Sequence, residues 1–254
     1  MKGRLSGRSV CFGSLGLMLL LSGCASFSPD GGLGPVQAIA TTELGKDISR
    51  IQSDAEAAEV QARVRALLNK PLGVESAVQI ALLNNRGLQA SFAELAAAEA
   101  EAVQASLPPS PAISLARLVA TRELEIERQV VVNVLGLLTL PRRAEIAEIR
   151  FGQARLRAAE AMLRLAADTR RAYYRAVATA QLVGFLEQSK TAAEAASELT
   201  KKLGETGAIN KLNQAREHVF YAELGTQLAT ARLRRETERE QLTRLMGLWG
   251  SDVQ

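Results

Sequence analysis

At 254 residues and 27.2 kDa the chain has room for one or two domains. It is 47% hydrophobic but only 4% aromatic, so alanine and leucine must build a thin, repetitive core like that between close-packed helices. A single histidine, His218, and two cysteines, Cys11 and Cys24, with no CxxC spacing leave little material for a His-based zinc site, a Ser-His-Asp triad or thiol redox chemistry. The formal charge of +4 sits largely ahead of residue 24, and the later arginines are interleaved with acids, which suits a solvated helix face rather than a nucleic-acid stripe.

Lys2, Arg4 and Arg8 precede an apolar run from Val10 to Leu21, with no acid before Asp30. As a helix the run is about 18 Å long, short of the roughly 30 Å hydrocarbon core, so it reads as a secretory signal. It ends in Leu21-Ser22-Gly23-Cys24, which resembles a bacterial lipoprotein signal, where small residues precede a lipidated, palmitate-bearing cysteine. A chance cysteine after an ordinary secretory signal is the alternative. Removal of residues 1–23 takes three basic side chains and no acids, leaving 28 basic against 27 acidic residues. Ala25 rather than Asp follows the cysteine, and the lipoprotein resemblance then implies the outer membrane. Residues 24–42, rich in Gly, Pro and Ser from Ser26 to Thr42, read as an extended tether behind the anchor.

A helix is expected over residues 43–69, where Leu44, Ile48, Ile51, Ala55, Ala58 and Ala62 step four and three apart until Lys70-Pro71-Leu72-Gly73 breaks the pattern. A second helical stretch, 75–106, is interrupted by Asn84-Asn85-Arg86-Gly87 and stopped by Leu107-Pro108-Pro109-Ser110-Pro111. The period then changes to two. Strands are expected at 112–119 and 124–135, joined as a hairpin through Ala120-Thr121-Arg122. Leu124, Ile126, Val130, Val132 and Val134 share one parity, and Glu123, Glu125, Glu127, Gln129 and Asn133 share the other; Arg128 and Val131 are the exceptions. That alternation fits a transmembrane barrel strand and equally a half-buried strand of a soluble domain. The three glutamates on one face need water, met by a filled lumen or by bulk solvent.

Pro141 is expected to end the strand and open the next helix at its first turn. From Arg142 to Leu203 no proline occurs, and a helix over 142–203 would be about 93 Å long. Its seam runs Ala158, Met162, Leu165, Thr169, Ala172, Ala176, Thr179, Val183 and Leu186, with Lys190 interrupting. After Gly204-Glu205-Thr206-Gly207 a return helix is expected at 209–246, with a seam through Leu212, Ala215, Val219, Ala222, Thr226, Ala229 and Leu233. Matching seams across a short Gly-bearing turn predict an antiparallel helical hairpin. The fold class is therefore mainly α, with long antiparallel coiled-coil helices and one β-hairpin. His218 lacks companion ligands, and no cluster offers a nucleophile with a base and oxyanion donors. No metal, cofactor or enzymatic activity is expected.

In order along the chain, Leu21-Ser22-Gly23-Cys24, Val74-Glu75-Ser76-Ala77-Val78-Gln79-Ile80-Ala81-Leu82, the Leu107–Pro111 entry, Leu135-Gly136-Leu137-Leu138 with Pro141-Arg142-Arg143, Gly207-Ala208-Ile209-Asn210-Lys211-Leu212, Ala215-Arg216-Glu217 and Leu245-Met246-Gly247-Leu248-Trp249-Gly250 resemble a TolC-like outer-membrane efflux factor of the lipoprotein, NodT-like branch. Arg86-Gly87 departs from the Pro that relatives often carry after the Asn pair.

The resemblance implies a passive duct for small molecules, a homotrimer in the full-length form. Each protomer gives strands to a shared transmembrane β-barrel and long helices to a periplasmic tunnel. Its partners would be a periplasmic adaptor and an inner-membrane pump. It would be anchored in outer-membrane lipid through Cys24, and it would not bind nucleic acid. The same resemblance implies that Leu203, Gly204, Gly207, Ala208, Ile209 and Leu212 form an adaptor-contact tip and that Glu123, Glu125, Glu127, Gln129 and Asn133 face the lumen. Residues 43–254 would be the first of two structural repeats, and three copies of one hairpin supply six strands where membrane barrels start at about eight. The chain is therefore expected to be the N-terminal half of a longer protein, with a naturally truncated product or six copies in place of three as the alternatives. A lipid-anchored periplasmic coiled-coil scaffold or adaptor without a pore is the alternative.

Overall fold

The structure, a computed structural model, describes residues 27–120 and 123–249, with the side chains of 117–120 and 123–125 outside that description. The elements are α1 (Gly34–Ile39), continued by a π-helical turn (Ala40–Leu44), then α2 (Asp54–Leu68), α3 (Val74–Asn84), α4 (Arg86–Ser106), β1 (Ala112–Ala120), β2 (Glu123–Val131), α5 (Val134–Glu205) and α6 (Lys211–Leu245). They form two units. One comprises Met1–Pro35 and Glu94–Leu156; the other comprises Val36–Ala93 and Arg157–Gln254.

In the first unit, residues 28–35 of the segment expected to be an extended tether make specific contacts. Ser28 donates its backbone N–H (2.7 Å) and its hydroxyl to the buried Glu99. Gly32, at φ +74°, lies against Phe151, where a Cβ would come within 2.6 Å of the ring. The Arg155 guanidinium stacks on the same ring, 4.1 Å from its centroid, and pairs with Glu148 at 2.7 Å. Asp30 accepts from the Gly32 and Gly34 N–H groups. Burial pushes its carboxyl up, but these donors and the Ser28 hydroxyl outweigh that and hold it below the usual carboxylate range.

The second unit is built on side-chain amides and a heptad seam. The helix expected over 43–69 is not continuous. Gly45, at φ +61°, ends the π-helical turn, and α2 restarts at Asp54 behind Ser53, whose hydroxyl accepts from the Glu56 N–H at 3.3 Å. Between them the backbone is held by glutamines. Gln79 exchanges two hydrogen bonds with Asp47, Gln89 bonds Ile51 N–H and Ser49 C=O, and Gln37 accepts from Ile48 N–H. Ile48 and Ile51 thus reach the interior from non-helical backbone, because three amides satisfy the polar groups that a helix would have paired. Val60, Val64, Ala77, Ile80, Leu83, Ala172, Leu242, Met246 and Leu248 form the core cluster. Around it, Glu75 meets Lys46 at 3.0 Å and Arg170 at 3.4 Å. The Lys46 hydrogen bond, opposed by partial burial and aided by Arg170, holds the Glu75 carboxyl below its usual value.

Along α5 the packed stripe is the one its periodicity predicts. Ala158, Met162, Thr169, Ala172, Thr179, Val183 and Leu186 are buried, and the hydroxyls of Thr169 and Thr179 bond the carbonyls of Leu165 and Arg175 in the preceding turn. Lys190 does not break the seam: its ammonium lies 5.4 Å from the Tyr221 ring centroid. The return helix corrects its expected seam. Leu224, Leu228, Ala231 and Leu242 are buried, with Tyr221 packed beside them, whereas Leu212, Ala215, Val219, Ala222, Thr226, Ala229 and Leu233 are exposed. The two stripes are offset by two residues, about 200° around a helix. Periodicity fits both; the small residues of the α5 seam select the bulkier one.

Two further boundaries differ. β2 stops at Val131 rather than 135, and α5 begins at Val134 rather than after Pro141. Asn133 is the reason: its side chain accepts from Gly136 N–H at 2.8 Å and its carbonyl from Leu137 N–H, so it caps a helix that starts two turns before the proline. Pro141 therefore lies inside α5 instead of opening it.

Candidate functional site

The residues singled out from the sequence fall on two surfaces. The first is the hairpin. β1 and β2 pair antiparallel in the register Ile113↔Val130, Ser114↔Gln129, Leu115↔Arg128, Ala116↔Glu127 and Arg117↔Ile126. Residues directly opposite share a face. Ile113, Leu115, Ile126 and Val130 therefore make one mostly apolar face, all at least half exposed; Arg128 is a charged member of it, and Arg117, whose side chain is outside the described residues, falls on it by register. Ser114, Ala116, Glu127 and Gln129 lie on the other, where the Ser114 hydroxyl approaches Gln129 Oε1 at 3.4 Å. Glu123 and Glu125 have the same parity as Glu127, but their side chains are outside the described residues. Asn133, grouped with them by parity, leaves the set, because it follows the strand and its side chain caps α5.

The second surface is the turn between α5 and α6. Leu203 and Gly204 belong to the last turn of α5. Gly207, at φ +77°, closes it: Ala208 N–H bonds Leu203 C=O at 2.9 Å and Gly207 N–H bonds Gly204 C=O at 3.1 Å, a Schellman motif that satisfies two terminal carbonyls. Asn210 then caps α6 through Asn213 N–H at 2.9 Å. The chain reverses within five residues, and Ala208 and Leu212 are exposed while Ile209 is half-buried. A Cβ at Gly204 would meet only the Gln214 amide, the end of a flexible side chain that can swing aside. Below the tip, Arg232 and Glu187 bridge the two arms at 2.7 Å.

Sequence reasoning missed a third cluster. Asn84 donates to the carbonyls of Met246 (3.2 Å) and Gly247 (2.8 Å), Asn85 donates to that of Leu245 (3.0 Å), and Gln61 donates to Asn84 Oδ1. The Asn pair, which reads in the sequence as a helix interruption, is the lock for the C-terminal end of α6. The signal that could have found it was Gly247 after a helical run, the mark of a second Schellman turn. Beyond it Arg86 stacks 3.9 Å from the Trp249 ring centroid.

Cys24 lies outside the described residues. Among those described, no group of three or more His, Cys, Asp or Glu is placed to hold a metal, His218 is exposed on α6, and no helix is long and apolar enough to cross a membrane.

The fold is similar to that of two solved membrane proteins, one of them an outer-membrane channel. The crystal structure of the Campylobacter jejuni CmeC outer membrane channel is similar over 71% of this chain and 42% of that one, with a TM-score of 0.56 and 17% identity. A membrane protein from Pseudomonas aeruginosa is similar over 71% of this chain and 45% of its own, with a TM-score of 0.58 and 17% identity. The chain thus spans less than half the length of these solved structures. No family model matches the chain, and no curated protein does.

Proposed function

We propose that this chain forms part of the wall of an outer-membrane efflux duct, giving its β-hairpin to a shared barrel and its helical hairpin to a periplasmic tunnel. The observation that carries this reading is an excess of unpartnered apolar surface with regular spacing. One face of the β-hairpin is greasy and exposed, and α6 carries a second heptad stripe, Leu212 to Leu233, on the side away from α5. A bilayer accounts for the first, and neighbouring helices of a closed tube account for the second. Three protomers with further strands and helices beyond those here would complete the tube. Cys24 would carry the lipid. The tip residues Leu203, Gly204, Gly207, Ala208, Ile209 and Leu212 would meet a periplasmic adaptor, itself coupled to an inner-membrane pump. Glu127 and Gln129, with Glu123 and Glu125 by parity, would line the water-filled lumen. The duct performs no bond chemistry; it lets solute move down the path that the pump energises.

The test is thiol labelling of single-cysteine variants along 126–130 in membranes. Ile126→Cys and Val130→Cys are expected to react with lipid-soluble reagents, and Glu127→Cys and Gln129→Cys with water-soluble ones. Uniform aqueous reactivity would overturn the barrel reading in favour of a scaffold without a pore. Cys24→Ala is expected to abolish incorporation of an acyl label, and undiminished labelling would remove the anchor from the proposal.

A further inference from the structure

No charged residue occurs from Gln129 to Pro141, and the greasy surface of the hairpin does not stop where β2 ends. Past Val131, which has the opposite parity, it continues through Val132 and Val134 into the first two turns of α5, where Leu135 and Leu138 are 71% and 74% exposed. Leu137 is exposed as well, so this helix start is apolar on nearly every side. Its polar side chains are used internally: Asn133 caps Gly136 N–H, and the Thr139 hydroxyl bonds the Leu135 carbonyl at 2.9 Å. That is how a segment bound for a low-dielectric environment must be built. Two arginines follow at once. Arg142 pairs with Glu145 at 2.8 Å, and Arg143 makes no ion pair among the described residues.

We propose that Val132–Leu140 is an interfacial wedge that enters the phospholipid leaflet beside the hairpin, with Arg142 and Arg143 at the level of anionic headgroup phosphates. This rests on the reading that places the hairpin in the outer membrane, and it goes beyond that reading by giving the first turns of α5 a lipid contact of their own. Seven helical residues from Val134 to Leu140 rise about 10 Å, the depth to which interfacial helices bury their apolar face. The occupant is lipid because the surface is continuous with the hairpin's greasy face, carries no charge, and ends in a basic pair that complements phosphate.

The experiment places an environment-sensitive fluorophore on the full chain at Leu115→Cys, Leu138→Cys or Leu199→Cys, reconstituted in phosphatidylethanolamine–phosphatidylglycerol vesicles with brominated acyl chains. Quenching at 115 and 138 but not at 199 is the expected result. Quenching at 115 alone overturns the wedge and leaves the barrel reading standing; quenching at neither overturns both. A blue-shifted but unquenched label at 138 also overturns it, since protein rather than lipid would then cover the site. Arg142→Gln and Arg143→Gln, both on an exposed helix face, are each expected to weaken vesicle binding about fivefold when phosphatidylglycerol is present. An equal loss on purely zwitterionic vesicles would remove the headgroup contact from the proposal.

Discussion

Replacing Gly247 by alanine is expected to destabilise the second unit by about 3 kcal/mol, more than the other glycine substitutions at positive φ in that unit. About 1 kcal/mol comes from placing a side chain at φ +69°, where L-residues are strained. The larger share comes from contact, because the new Cβ would overlap the Asn84 carbonyl, a backbone atom that cannot swing aside. Relieving the overlap pulls Asn84 away from the Met246 and Gly247 carbonyls, each bond contributing about 1 kcal/mol. Gly45 and Gly207 provide the control. Both have positive φ, but a methyl group added at either would meet nothing within 4 Å, so Gly45→Ala and Gly207→Ala should cost only about 1 kcal/mol. Urea titration followed by circular dichroism would rank the three. Equal midpoints would mean that the Asn84 lock contributes nothing.

The second large effect separates the two stripes of α6. Leu228→Ala removes a buried side chain from the seam with α5 and should cost about 2–4 kcal/mol in unfolding. Leu233→Ala, five residues later on the exposed stripe, should change stability by less than about 0.5 kcal/mol. Association should respond in the opposite order. Leu212→Glu together with Leu233→Glu places two charges on the stripe proposed to meet neighbouring helices, and self-association should weaken more than about tenfold while helicity is unchanged. Sedimentation of the detergent-solubilised protein measures this. Unchanged association would mean that the exposed stripe faces water.

The corrections share a cause. Residues 43–69 carry apolar residues at helical spacing, yet Ile48 and Ile51 are delivered from coil, because Gln37, Gln79 and Gln89 supply partners that lie up to 40 residues away. The Ser53-Asp54-Ala55-Glu56 cap was present in the sequence and marks the true start of α2. The start of α5 was hidden by Pro141, a strong local signal that outweighed the quieter cap at Asn133. The turn, by contrast, was legible as a break, expected between residues 203 and 209 and found between Glu205 and Lys211, since Gly207 and Asn210 do locally what their side chains dictate.

Sequence by itself determined the long helices, the β-hairpin with its unequal faces, the turn at Gly207 and the α5 seam, because each depends on residues within a turn or two of one another. Only tertiary structure decided which stripe of α6 is buried, what the Asn84–Asn85 pair holds and how residues 28–52 fold. Those outcomes depend on side chains distant in sequence: the small α5 seam that accepts Leu224 and Leu228, the carbonyls at the end of α6, and Glu99 beneath Ser28. A heptad repeat records that a helix has a partner; the shape of the partner decides which stripe it takes.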